Sequence, residues 1–115
     1  MEKETVAKNK ERFIALCKEH IRREGMDKLL AYLENSDFFT APSSASFHLN
    51  EEGGLCLHSI NVFETAVKLY QHIALPAIQN GTSPFTEEIP MESIAIASLL
   101  HDLCKVKFYH PTERW

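Results

Sequence analysis

Residues 90–105 read PMESIAIASLLHDLCK, and residues 94–100 are apolar at every position except Ser98. A helix of that composition shows apolar side chains all round its axis, so the run predicts a central helix covered by others. Pro90 suits the first position of such a helix, where a missing N–H costs nothing. No alternating strand pattern lies beside it, and only residues 106–109 are compatible with a short extended segment. The expected fold class is therefore all-α.

The rest of the chain supplies helices that could do the covering. Over residues 4–24, Phe13, Cys17 and Ile21 recur every four positions beside Leu16, while Lys, Glu and Arg fill the opposite face. Gly25 is a natural stop, and Asp27 can cap a second, shorter helix with Leu29, Leu30 and Leu33 on its apolar side. Residues 36–53 carry Pro, Ser and Gly without helical rhythm and read as a long loop, a type of segment that is often functional. Phe38, Phe39 and Phe47 would pack this loop onto the core. A third helix is expected from Gly54, with Leu55, Phe63, Ala66, Val67, Tyr70 and Ala74 on a broad apolar face. Pro76 should kink or end it, Gly81 should stop it, and NGTSP at 80–84 marks a turn.

The chain has 115 residues, which suggests one domain over 1–115. With 12 basic and 16 acidic side chains, its charge of −4 disfavours a broad nucleic-acid surface. No apolar run approaches the ~18 residues of a membrane span. The charged start MEKETVAKNKER lacks the apolar region of a secretory signal. Cys17, Cys56 and Cys104 form no CxxC pair and no disulfide framework. They read as reduced thiols of a cytoplasmic protein.

The chemistry is concentrated where the apolar run ends. A carboxylate and an imidazole at His101 and Asp102 are costly beside a buried helix unless compensated. A divalent cation can compensate both at once, and a simple His–Asp hydrogen bond is the other solution. Neighbouring helical residues point ~100° apart, so the doublet could straddle a cation at the helix end. His58 on the third helix would be the facing donor.

Two segments, FHLNEEGGLCLHSINVFE at 47–64 and ASLLHDLCK at 97–105, resemble the HD phosphohydrolase superfamily. The shared elements are a His after a small-residue turn, an HD doublet ending a later apolar helix, and a Lys three positions on. The resemblance implies an HD-type helical bundle, with His58, His101 and Asp102 as ligands of a divalent metal: Mn, Fe, Ni, Co, Zn or Mg. It implies hydrolysis of a nucleotide or other small phosphate ester, with Asp102 also taking a proton from the attacking water. Lys105 would offset phosphate charge, or else simply complement a helix end. His48 would contact phosphate, or else be a solvated loop residue.

The family pattern also includes a later Asp as fourth ligand. Here the Asp residues are Asp27, Asp37 and Asp102, and Glu113 is the sole acid after the doublet. The expectation is a domain truncated after the HD-bearing helix, or completed by another chain. Exposed apolar surface and self-association would follow, and a non-catalytic assembly or regulatory module is the alternative function. Asn61, one turn after His58, could orient a ligand or water, and Glu51 or Glu52 could lend a carboxylate from the loop. His20, His72 and His110 have no partner pattern.

Overall fold

In the computed structural model, residues 1–45 and 49–107 are described, and every regular element among them is helical. Helix α1 (Lys3–His20) buries Phe13 and Cys17, two members of the four-residue repeat. It stops earlier than the repeat suggests, because Ile21 is extended (φ −113°, ψ 113°). The cause lies 70 residues away: the Arg22 N–H donates to Glu92 Oε2 at 2.7 Å, and Arg23 Nε donates to Glu92 Oε1 at 3.2 Å. An amide serving that carboxylate is not serving the helix. The chain then turns through Gly25 (φ +92°) into α2 (Met26–Glu34). Gly25 holds the capping position expected of Asp27, which lies inside the first turn, where its charge still suits the helix dipole.

The two hydrogen bonds hold the Glu92 carboxyl below its usual range, the backbone N–H of Arg22 being the larger cause and the Arg23 side chain the next. A depressed folded pKa contributes stability above the unfolded value and loses it as pH falls through the folded one. Glu92→Gln is therefore expected to lower the melting temperature at pH 7. The deficit should fade as pH falls from 4.5 downward. Thermal melts of both proteins across pH 3–7 check it.

Helix α3 (Gly54–Leu69) packs on α5 (Met91–Leu99), and α1 lies against both. Between them, α3 passes through a wider π-helical turn, Tyr70–Ala74, into α4 (Leu75–Gln79). Pro76 near the start of α4 has no N–H to give, and the wider turn is how the helix absorbs that loss. The core gathers Phe13, Leu33, Phe38, Leu55, Ile60 and Leu99, all fully buried. Phe13 meets Phe38 at 4.8 Å and Phe39 at 5.7 Å between ring centres, so both loop aromatics pack as their composition predicts. Phe47 and His48 lie outside the described residues.

The loop is stitched to the start of α3 by main-chain bonds. The N–H groups of Gly53 and Leu55 donate to the carbonyls of Thr40 and Ala41, at 2.9 and 3.0 Å. Ser43 N–H closes the loop tip on the Leu49 carbonyl at 2.9 Å. Glu51 pairs with the amino group of Met1 at 2.9 Å.

Helix α5 departs from expectation. Its buried residues are Ala95, Ser98 and Leu99, whereas Ala97 is exposed and Ile94, Ile96 and Leu100 are half-buried. Composition showed that α5 can be covered on all sides; the described elements cover one. An open apolar groove consequently runs between α5 and the far part of α3. Among the described residues, no helix is long and apolar enough to cross a membrane.

Candidate metal centre

His58 lies one turn into α3, behind the glycine pair that fixes where the helix begins. The doublet does not sit on a helix as its sequence context suggested. α5 ends at Leu99, and His101 and Asp102 occupy the turn before a short 3-10 segment, Leu103–Lys105. The reason is local. Continuing the α-helix would direct the Asp102 N–H to the Ser98 carbonyl. That carbonyl is instead bonded by the His101 ring, Nδ1 to O at 2.7 Å. A side chain competing for a backbone acceptor ends the helix.

The same bond sets the tautomer. A carbonyl only accepts, so Nδ1 carries the proton and the neutral ring turns its Nε2 lone pair to the other side. Three donor atoms meet there. His101 Nε2 is 3.3 Å from His58 Nε2 and 3.2 Å from Asp102 Oδ2, and His58 Nε2 is 3.5 Å from the same oxygen. A cation ~2.1 Å from each ligand would separate neighbouring ligands by about 3.0 Å in octahedral and about 3.4 Å in tetrahedral geometry. The edges at 3.2 and 3.3 Å fall in that range, and the one between His58 and Asp102, at 3.5 Å, lies just above it. The side chains are 23%, 29% and 16% exposed, in chain order. They are thus partly shielded yet reachable by a small ion.

Lys105 approaches from the 3-10 turn. Its Nζ donates to the Ser43 carbonyl at 2.6 Å and lies 3.3 Å from Asp102 Oδ2. An ammonium has three donors, so one remains beyond these two contacts for an anion at the site. Its contacts go beyond the helix-end role foreseen as one alternative, since they tie Ser43 of the loop to the carboxylate. The neighbouring Lys107 N–H bonds Asp37 Oδ1 at 2.7 Å, a second tie between the loop and this segment.

The other candidates separate from the centre. Asn61 is exposed on the α3 face beside His58 and lines the same shallow hollow. Glu52 is exposed, and His72 is exposed on the π-helical turn. His20 stacks near Phe63 at 5.2 Å. His110 and Glu113 lie outside the described residues. All three thiols are free, with Cys17 and Cys56 buried and Cys104 exposed. Burial pushes the thiols of Cys17 and Cys56 up to about 12, so neither supplies a thiolate ligand. Residue chemistry alone missed two participants, the carbonyls of Ser98 and Ser43. Ser98 had a signal, since it precedes His101 by one helical turn; Ser43 had none. Comparison with known proteins found no matching family model, curated protein or solved structure.

Proposed function

We propose that this chain is an HD-type helical bundle that binds one divalent cation through His58, His101 and Asp102 and hydrolyses a small phosphate ester. The observation carrying this reading is the convergence of two imidazole nitrogens and one carboxylate oxygen at ligand spacing, with the His101 lone pair aimed inward by Ser98. Mn, Fe, Ni, Co, Zn and Mg all suit such a donor set in part. A nucleotide or other small ester is the substrate class in view, in a cytoplasmic setting consistent with three free thiols.

A bound cation would supply a water of lowered pKa and polarise a phosphoryl oxygen. The chain's own part is positional and electrostatic. His58 and His101 would present their Nε2 atoms to the cation, and the Ser98 carbonyl keeps the His101 ring from turning. Asp102 offers Oδ2 to the centre and takes the proton of the attacking water. Lys105, held by Ser43, points its remaining donor at a phosphoryl oxygen and so favours charge developing there.

A second reading, a non-catalytic regulatory or assembly module, is favoured by one observation. The Lys105 ammonium 3.3 Å from Asp102 Oδ2 already compensates the carboxylate without a cation. A panel of phosphate mono- and diesters assayed with each cation separates the two. Hydrolysis that requires added cation, stops with chelator and is lost in Asp102→Asn supports the enzyme. A protein that binds cation tightly but cleaves nothing in the panel supports the module.

A further inference from the structure

The hollow beside His58 is about 360 Å³ and is lined by one face of α3, including Asn61, Val62 and Ala66. It runs into the larger α3–α5 groove of about 800 Å³, because Val62, Ala66 and Leu69 line both. The two ends differ in chemistry. Near His58 lie the imidazoles and the Lys105 ammonium beside Asp102. Among the described residues, no charged side chain lines the groove, whose walls include Leu69, Ile73, Ile94 and Ala97.

Of the three hydroxyl side chains in that wall, those of Tyr70 and Ser98 are already engaged, which leaves Ser93 as the one without such a bond in view. Tyr70 Oη accepts the Ile89 N–H at 2.9 Å, and Ser98 Oγ donates to the Ile94 carbonyl at 2.6 Å. A nucleobase needs polar partners for its edges, and bases left unpaired there would lose their hydrogen bonds to water. A hydrocarbon chain needs none. Leu69 is 53% and Ile73 64% exposed, so both still have apolar area to lose on binding.

We infer that the ligand of this site is a phosphate ester of an aliphatic alcohol, its phosphate at the His58–His101–Asp102–Lys105 end and its chain along the α3–α5 groove. This rests on the proposed cation site and narrows its substrate class away from nucleotides. Full burial of a methylene is worth about 0.8 kcal/mol, roughly fourfold in affinity. A groove open on one side gives about half of that in free energy, or about twofold per methylene.

The test measures binding of butyl, hexyl and octyl phosphate to the cation-loaded protein by calorimetry, below any micelle-forming concentration. Octyl phosphate is expected to bind about fifteenfold more tightly than butyl phosphate. The double variant Val62→Gln, Ala66→Gln, two positions that line both cavities within an octyl chain's reach of His58, with helicity checked by circular dichroism, should bring that ratio to about one. Octanol, which lacks the phosphate, should bind far more weakly. Equal affinities for butyl and octyl phosphate would overturn the groove assignment while leaving the cation site standing. A chain-length effect that persists in Asp102→Asn would overturn the coupling of groove to site. Absence of cation uptake would instead sink the reading beneath it. A wild-type dimer that the double variant splits, with alkyl phosphate affinity unmoved, would assign the groove to a second copy of the chain and also overturn the inference.

Discussion

Purified Asp102→Ala protein, loaded with the preferred cation and dialysed, is expected to retain less than about a tenth of the wild-type metal, and His101→Ala likewise. Each replacement removes one of three converging donors, and two remaining ligands hold a labile ion poorly. The variants should differ in how they fail. His101→Ala removes the ring bonded to the Ser98 carbonyl at 2.7 Å and leaves there the 3.5 Å bond from the residue's own N–H. α5 can then extend by a residue or two, which carries Asp102 out of position. Asp102→Ala leaves the ring's bond intact but strips Lys105 of its carboxylate, leaving the Ser43 carbonyl as its partner. Elemental analysis of dialysed proteins reads the metal. Wild-type metal content in both variants would remove the ligand assignment.

The second large effect is expected at Gly54, the first residue of α3. Alanine is the better helix former, worth about 1 kcal/mol over glycine in a helix interior. Here that gain is outweighed. A Cβ at Gly54 would stand 2.0 Å from the Leu49 carbonyl oxygen and 3.0 Å from its carbon, both main-chain atoms that cannot rotate aside. Relieving the overlap means shifting the loop tip or the start of α3, at a cost of about 3 kcal/mol. The net loss of about 2 kcal/mol corresponds to a fall in melting temperature of about 10 °C. The cation should also bind less well, because the displaced loop carries the Ser43 carbonyl that holds Lys105. Gly25→Ala is the control. Nothing lies within 4 Å of a Cβ there, and only its left-handed backbone, φ +92°, opposes the change. It should lose about 1 kcal/mol of stability and keep its cation affinity. Calorimetric melts and cation titrations of both variants check the pair, and a Gly54→Ala protein as stable as wild type would contradict the packing described here.

What the residues disclosed in advance, and what they hid, follows from the range of each signal. Periodicity placed Phe13 and Cys17 in the core and opened α3 at Gly54, because helical rhythm and small-residue turns are local. The pairing of His58 with the doublet, 43 residues on, came instead from the resemblance of the two segments to the HD pattern. Local chemistry could not place the ends of α1 and α5. The first is decided by Glu92, which is distant in sequence, and the second by a histidine ring competing for the Ser98 carbonyl. The apolar run of α5 was visible, but not which side other elements would leave open. Lys105 was recognised as a cation near the site; its anchor is a backbone carbonyl, which no residue type announces.

The central claim is that His58 and His101 turn their Nε2 atoms toward one cation shared with Asp102. Titrating a diamagnetic divalent cation into nitrogen-15-labelled wild-type protein and following the imidazole nitrogens tests it most directly. The account predicts that the Nε2 signals of both rings move together, complete at one cation per chain, while the His101 Nδ1 stays protonated. Saturable uptake that leaves both Nε2 signals where they were, or no uptake at all, would contradict it.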